Sequence, residues 1–369
     1  MREIGFWDYT APGGGGGLEV YQRADWDRLL DDMARGGFNS LALGIKWLTT
    51  GYRSRLPWLD QDPVCTCITS DNELLHYALR EARRRGIRTW LLVVSTQYKM
   101  QPFGIEPTGG TWGDIGIYDL DCPGLGERIE QLYAEVVELF GAETDGIVAE
   151  IEFCDGEAPH RIPLYNAWAQ ANGRPDFATI KQIRLEPRSY PFVHWRDFTT
   201  TRRIEMMHRI ERVVRDRGFR GTLATIIEVD NAPTALLGNV NMDLLRAGVP
   251  GWQVVTYDSI YDRRRNRLAT MDFCVVQPRA RGFEVYYLTR GVMTFGEAWS
   301  AATMQLGDQW RMSLEDARQF QPDILWFMGS DARLDGPVSS NVKLPAWGFP
   351  DGRTARLALM QMAREILPS

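Results

Sequence analysis

Eight short apolar segments recur along this chain of 369 residues, each rich in Val, Ile, Leu or aromatic side chains. Strands that are covered by helices on both faces have this composition, whereas strands of a half-exposed antiparallel sheet alternate apolar and polar residues. The predicted strands are Ile4–Tyr9, Ser40–Trp47, Thr89–Thr96, Gly146–Phe153, Thr222–Asp230, Trp252–Asp258, Phe283–Thr289 and Asp323–Gly329. The pattern therefore restricts the chain to a mainly parallel α/β architecture.

Amphipathic stretches separate these strands, and a last one follows the eighth. The predicted helices are Asp25–Arg35, Asp71–Arg85, Gly126–Phe140, Arg196–Arg217, Ser313–Phe320 and Gly352–Ile366, and we expect Gly36, Gly86, Gly141 and Gly218 to end four of them. Eight strand–helix units are typical of a (β/α)8 or TIM barrel, here one domain over residues 1–369. A doubly wound parallel sheet is the alternative.

Two connections are much longer than the others, at about residues 97–123 and 155–195. Both follow the carboxyl end of a predicted strand, the third and the fourth, where the loops of a barrel build the active site. We expect both insertions to form the rim of one cleft.

Composition excludes several classes of function. The net charge of -6 offers no positive field for nucleic acid, and no apolar run reaches the ~18 residues of a membrane span. Five cysteines and the absence of an apolar leader favour a cytoplasmic protein with free thiols, unless a leader was removed. Four histidines without metal-ligand spacing predict no zinc site, and the site we expect needs no cofactor.

The fourth predicted strand carries the most informative pair of residues. In the stretch Gly-Ile-Val-Ala-Glu-Ile-Glu-Phe, Glu150 and Glu152 share one face, and Ile147, Ala149 and Ile151 share the other. Because the apolar face suits the helices, both glutamates are predicted to point into the barrel, where like charges raise at least one pKa. Such a carboxylic acid can serve as a general acid. The alternative is a buried pair neutralised by Lys46 or Arg290.

Further carboxylates end the next two strands. Glu228 ends the fifth and Asp258 ends the sixth, with Tyr257 beside it as a hydrogen-bond donor to developing charge. Two or three carboxylates in one cleft are what glycoside hydrolysis requires.

Thirteen Trp residues also favour a carbohydrate cleft, because sugar rings stack on aromatic faces while polar groups bind the hydroxyls. The candidate stacking residues at strand ends are Trp7, Trp47 and Trp326. The candidate ligands of hydroxyl or anionic groups are Asp8, Lys46, Gln97, Arg290 and Asp331.

These stretches resemble the TIM-barrel glycoside hydrolases, and more loosely their chitinase-like group with its D-G-x-D-x-D-x-E fourth strand. Residues 145–152 read Asp-Gly-Ile-Val-Ala-Glu-Ile-Glu, Tyr257 and Asp258 match the group's Y-D pair, and Trp326 matches its floor tryptophan. The resemblance implies that Glu152 is the catalytic acid, that Glu150 assists it and that Trp326 lies under the reacting sugar.

Val148 and Glu150 stand where that group has aspartates, so a conventional pair of Glu152 with Glu228 or Asp258 remains open beside the group's substrate-assisted mechanism. Two other functions remain as alternatives. One is a barrel aldolase or isomerase that uses Lys46 as a Schiff-base amine. The other is a barrel that binds carbohydrate without turning it over.

Overall fold

A computed structural model describes residues 1–11, 17–151, 158–183, 192–229, 240–258, 267–268, 270–291, 306–330 and 348–367. Its centre is a barrel of parallel strands whose first strand pairs with both the second and the last. In chain order the barrel strands are β1 (Glu3–Tyr9), β2 (Ser40–Lys46), β3 (Arg88–Val94), β7 (Gly146–Glu150), β8 (Thr222–Val229), β9 (Trp252–Asp258), β10 (Val285–Arg290) and β11 (Ile324–Met328). Because this sheet closes on itself, the doubly wound alternative is wrong and the (β/α)8 barrel is confirmed.

All eight predicted strands are confirmed, with ends that differ by a few residues. Their side chains alternate between two apolar layers, as period-two geometry requires. One layer fills the barrel and includes Trp90, Val148, Tyr286 and Trp326. The other lies between strands and helices and forms the main core of the protein. Both faces of the strands are therefore buried, which explains their near-continuous apolar sequences.

Helices surround the barrel. The larger ones are Arg23–Gly36, Glu73–Arg84, Leu125–Phe140, Phe192–Asp216, Leu306–Phe320 and Gly352–Ile366. Shorter helices are Met100–Phe103, Arg161–Ala171, Phe177–Ile183, Met242–Gly248 and Gln277–Ala280, with a 3-10 turn at Leu18–Val20 and a π-helical turn at Asp272–Val276. The final helix packs against both the first helix and the helix Leu306–Phe320, so it completes the outer ring.

One predicted helix stop is displaced by a residue. Gly37, at a φ of 78°, takes the left-handed conformation that ends the first helix, while the predicted stop Gly36 still belongs to the helix. Gly36 is a glycine for another reason. A Cβ there would lie 2.4 Å from the Met360 sulfur, so its hydrogen lets the last helix pack closely.

The first insertion, after β3, contains a small antiparallel sheet that we call the rim sheet. Its strands are β4 (Gln97–Lys99), β5 (Gly110–Trp112) and β6 (Ile115–Ile117), with β6 in the middle. The sheet follows β3 after only two residues, so it lies at the carboxyl end of the barrel.

The second insertion contains helices that the sequence analysis did not predict. Helices Arg161–Ala171 and Phe177–Ile183 lie within it, and the long helix that follows already begins at Phe192. These helices bury a separate aromatic cluster that includes Tyr165, Trp195 and Phe198. Local packing thus stabilises helices that the sequence pattern did not show.

None of the helices in the described parts of the chain is long and apolar enough to cross a membrane.

Candidate active site

Glu150 is the last residue of β7 and lies on the inner face of the barrel. Its neighbour Val148 belongs to the interior layer, whereas Ile147, Ala149 and Ile151 pack in the helix-side core, as predicted. The Glu150 side chain is only 5% exposed, and its backbone carbonyl accepts a hydrogen bond from the Ser95 amide at 2.9 Å. A carboxylate therefore lies buried at the end of β7, where barrel enzymes hold their reacting groups.

Lys46 is fully buried near this carboxylate. Its ammonium donates to the backbone carbonyl of Gln97 and lies 3.7 Å from the centre of the Tyr98 ring. Burial lowers the pKa of Lys46 well below its usual range, and the negative charge of Glu150 opposes that shift. Lys46 and Glu150 are thus electrostatically coupled across the strand ends of β2 and β7.

The register of β2 against β3 shifts just before Lys46. β2 pairs in regular register with β3 until Gly44 faces Leu92, and the register then shifts so that Lys46 faces Val93. Lys46 thus pairs with a residue of the helix-side core, whereas Ala42 pairs with Trp90 of the interior layer. Its ammonium reaches Tyr98, a residue of that same outer core.

Asp8, a predicted substrate ligand, has its described partners outside the barrel interior. It follows Trp7 in β1 and so points to the opposite face. Its carboxylate accepts hydrogen bonds from the Tyr9 amide at 2.8 Å and from the Ser330 amide and hydroxyl at 2.7 and 2.6 Å. Burial raises the pKa of Asp8 to about 7, although these hydrogen bonds oppose the shift.

The candidate stacking residues differ in how deeply they are buried in the barrel. Trp326 has no exposed surface, its indole donates to the Ser40 hydroxyl, and its ring contacts Trp7 and Trp90 at centroid distances of 5.5 Å. These rings form the packed floor of the barrel. Above them Trp47 is partly exposed and lies 4.9 Å from the Tyr9 ring.

Tyr257 is also partly buried and packs against the interior cluster from β9. Trp47 and Tyr257 are thus aromatic candidates that pack on the interior layer and remain partly exposed. The sequence analysis missed Tyr9, whose hydroxyl accepts a 3.1 Å hydrogen bond from the Trp7 indole. Tyr9 lies two residues after Trp7 in the same strand, so alternation predicts that both side chains share the inner face.

Several candidates lie beyond the described side chains. Glu152 and Asp331 are outside the described residues. Glu228, Asp258 and Arg290 are described as backbone positions at the ends of β8, β9 and β10. In that backbone Glu228 pairs with Tyr257 and Val229 with Asp258, so the strand ends of β8 and β9 are level.

Gln97, another predicted ligand, is 1% exposed at the start of β4. Within the described parts of the chain, neither its amide nitrogen nor its amide oxygen has a hydrogen-bond partner. An unpaired buried amide lowers the stability of the fold.

Metal ligands do not gather in the described part of the chain, where no three His, Cys, Asp or Glu side chains are placed to hold an ion. Four cysteines there, Cys65, Cys67, Cys122 and Cys274, are buried free thiols.

The barrel is shared with solved glycoside hydrolases. β-Galactosidases from Rahnella sp. R3 and Halorubrum lacusprofundi both align with a TM-score of 0.65, at 12% and 14% identity, over 99% of this chain. An exo-β-N-acetylglucosaminidase from Vibrio harveyi aligns with a TM-score of 0.53 at 12% identity over 98% of this chain. The resemblance to TIM-barrel glycoside hydrolases is therefore confirmed at the level of the fold.

The chain spans little more than half the length of these enzymes, between 54% and 58% of each. No family profile and no curated protein matches the sequence. At such identities the likeness defines an architecture, and the activity has to be argued from the site.

Proposed function

We propose that the protein is a glycoside hydrolase that cleaves a glycosidic bond by carboxylate acid–base catalysis at the carboxyl end of its barrel. The observation that carries this proposal is the position of Glu150, a carboxylate 5% exposed on the inner face of β7. A charged group is rarely buried without a partner or a task, and the ends of barrel strands are where catalytic groups lie.

Glu152 is the general acid in this proposal, and Glu150 tunes it. Only Ile151 separates the two glutamates in the sequence. In this proposal the charge of Glu150 raises the pKa of Glu152 and keeps it protonated near neutral pH. Lys46 is electrostatically coupled to Glu150 from the end of β2.

The partner carboxylate is Glu228 or Asp258, which end the two strands that follow β7 in the barrel. One of them acts as nucleophile or base, or orients the group that does. Tyr257 stabilises the developing charge with its hydroxyl, since it is partly exposed on the same strand.

The ligand in this proposal is a carbohydrate, in keeping with the polar and aromatic groups of the mouth. Trp47 offers a partly exposed ring for stacking, backed by Tyr9 at 4.9 Å. No cofactor takes part in the proposed reaction.

The experiment that tests the proposal is hydrolysis of a panel of aryl glycosides, including galactosides, N-acetylhexosaminides and uronides, together with natural oligosaccharides. Natural substrates are needed because an activated aryl group leaves with little protonation. Wild type is compared with Glu152→Gln and Glu150→Gln, and Glu138→Gln serves as the control because that glutamate is 52% exposed on a surface helix.

Turnover by wild type and Glu138→Gln, with a loss of at least about 100-fold in Glu152→Gln on natural substrates, is the expected result. Unchanged turnover in Glu152→Gln would assign the acid to another carboxylate. Sugar binding without turnover in any of the proteins would favour a carbohydrate-binding barrel instead.

The buried amine of Lys46 supports a second candidate, a Schiff-base reaction on a carbonyl substrate. A lysine whose pKa is lowered by burial carries the neutral amine that such chemistry needs. Borohydride reduction in the presence of small aldehydes and ketones, followed by mass spectrometry, tests it. A covalent adduct on Lys46 that is absent in Lys46→Met would establish this candidate, and no adduct would remove it.

A further inference from the structure

The rim sheet has two faces with different surroundings. Tyr98, in the middle of β4, packs into the helix-side core against Trp58 and Phe103. Side chains alternate along a strand, so Gln97 and Lys99 lie on the opposite face. This second face is turned away from the helix-side core, and the sheet that bears it begins two residues after the carboxyl end of β3.

Strand pairing shows which residues share that face. Gln97 pairs with Ile117, which pairs in turn with Gly110. Lys99 pairs with Ile115, which pairs in turn with Trp112. We call the face that bears Gln97, Lys99, Ile115, Ile117 and Trp112 the rim face.

Exposure varies across the rim face, where Lys99, on the same strand as Gln97, has a side chain that is 35% exposed and forms an ion pair with Asp60 at 2.8 Å. Gln97 is 1% exposed, Ile115 and Ile117 are 5% and 6% exposed, and Trp112 is 48% exposed on the outer strand. β4 and β5 are separated by β6, so Gln97 and Trp112 belong to strands about 10 Å apart. The rim face therefore leads from a buried amide to an exposed indole over the length of a disaccharide.

The Gln97 amide is the polar end of this surface. It presents one acceptor and two donor hydrogens, and both its nitrogen and its oxygen are buried with no hydrogen-bond partner among the residues that the structure describes. Leaving such a group unpaired costs stability, which a protein tolerates when a ligand satisfies it. A donor and an acceptor side by side match two neighbouring hydroxyl groups, one of which donates while the other accepts.

We propose that the rim face is a sugar-binding subsite which extends the cleft, so that the preferred ligand is an oligosaccharide rather than a single sugar. Gln97 binds neighbouring hydroxyls of an inner ring, and Trp112 stacks against a ring farther along the chain. This inference rests on the proposed function for its ligand class and adds the length of the ligand to it.

The first test needs no ligand. Gln97→Met keeps the volume of the side chain and removes the unpaired polar atoms, so we expect the melting temperature of the free protein to rise by about 2–4 °C. A fall in the melting temperature would mean that the Gln97 amide supports the fold, and it would overturn its assignment as a ligand-binding group.

The second test titrates the protein with galacto-oligosaccharides and chito-oligosaccharides of one to five units, followed by calorimetry. The affinity of wild type for one of the two series is expected to increase with length. Trp112→Ala should lower the affinity for the longer members by about two- to tenfold and leave the single sugar unchanged. Gln97→Met should weaken every member of the series.

Thr111→Ala is the matched control, because Thr111 is an exposed residue of the same strand on the other face. It should bind as wild type does. No binding of either series, or equal affinities for wild type and Trp112→Ala, would overturn the subsite.

The outcomes separate this inference from the proposed reaction. Length-dependent binding that Trp112→Ala abolishes, without hydrolysis, would retain the subsite and reject the glycosidase. Hydrolysis with unchanged length dependence in Trp112→Ala would retain the glycosidase and reject the subsite.

Discussion

Buried ionisable side chains in this protein fall into two groups that differ in their partners. Burial raises the pKa of Asp32, but hydrogen bonds from Arg353 and Arg356 outweigh it and lower that pKa to about 2. For Asp8 and Lys46 burial is the larger effect, so the pKa of Asp8 rises and the pKa of Lys46 falls. Both shifts favour the neutral form of the side chain. Asp8 and Lys46 both lie at strand ends around the barrel mouth. Their shifted pKa values bring their changes of charge closer to neutral pH, whereas the pKa of Asp32 moves away from it.

Asp8 should make stability depend on pH. Its pKa of about 7 in the folded state exceeds its ordinary value of 3.8, so the folded protein binds the proton more tightly than the unfolded chain. The stability it contributes is present below pH 4 and is lost as pH rises to about 7, by about 4 kcal/mol at most. We expect Asp8→Asn to flatten the free energy of unfolding between pH 5 and 7, measured by urea denaturation.

Asp351→Asn is the control for Asp8. Hydrogen bonds from Thr354 at the start of the last helix lower the pKa of Asp351, so its influence on stability falls at a lower pH. A slope between pH 5 and 7 that persists in Asp8→Asn would contradict the prediction.

Glu150→Gln should shift the pH dependence of hydrolysis under the proposed mechanism. The charge of Glu150 raises the pKa of the general acid, so its removal lowers that pKa and moves the alkaline limb of the rate profile to lower pH, by about 1 unit. The profile of kcat/KM from pH 4 to 9 measures this shift. An unmoved limb, with Glu138→Gln as reference, would exclude electrostatic tuning by Glu150.

The orientation of single residues was predictable only where the strands are regular. Alternation correctly placed Ile147 and Ala149 on the helix side, and Glu150 continues the interior row of Val148. It did not reveal the position of Lys46, because the bulge after Gly44 depends on strand pairing that the sequence does not show. The sequence analysis also proposed both Trp7 and Asp8 as ligand-binding residues, although neighbouring residues of a strand point to opposite faces.

At the scale of elements, the close contact between β1 and β2 makes a sharp prediction. A Cβ on Gly5 would lie 1.5 Å from the Ser40 carbonyl oxygen, which is backbone and cannot move aside. Gly5→Ala should therefore cost about 3 kcal/mol or more and disturb the pairing of the two strands. The midpoint of guanidinium denaturation measures the loss.

Gly307→Ala provides the opposite case. Gly307 lies in the first turn of the helix Leu306–Phe320, and a Cβ there would meet nothing within 4 Å. Alanine at this position should leave stability unchanged or raise it by up to about 1 kcal/mol. Equal losses in both variants would show that the β1–β2 contact is not the cause.

The strands were predictable because burial on both faces leaves a strong apolar signal, and every barrel strand had one. The elements of the insertions lacked such signals. Rim strands of three residues are too short for a visible alternation. The helix Arg161–Ala171 contains Pro163, which suggested a loop, yet proline is tolerated in the first turn where this residue lies.

For the whole molecule, closure of the ring depends on the meeting of its first and last elements. β1 pairs with β11, and the first and last helices pack together beside that pair. Arg356 of the last helix donates to Asp32 of the first helix and to the Ser330 carbonyl after β11, at 2.8 and 3.0 Å. Ser330 in turn binds Asp8 at the end of β1, so one polar chain connects all four elements.

This connection predicts a strong coupling between the two ends of the chain. Arg356 and Asp32 are 1% and 2% exposed, so Arg356→Met should cost about 3–5 kcal/mol because it strips a buried carboxylate of its buried partner. Arg353→Met should cost about 1 kcal/mol or less, since Arg353 binds the same carboxylate from a half-exposed position. Urea denaturation of both variants gives the two losses.

A double-mutant cycle decides whether the loss comes from the pair itself. Asp32→Asn combined with Arg356→Met should be less destabilised than the sum of the single changes, by about 1–3 kcal/mol, because neither member of the buried pair then keeps its charge without the other. Additive losses would mean that Arg356 stabilises the ring through packing and its bond to the Ser330 carbonyl. In that case closure would depend on the contact between the last helix and β11 rather than on the charges that join the first helix to the last.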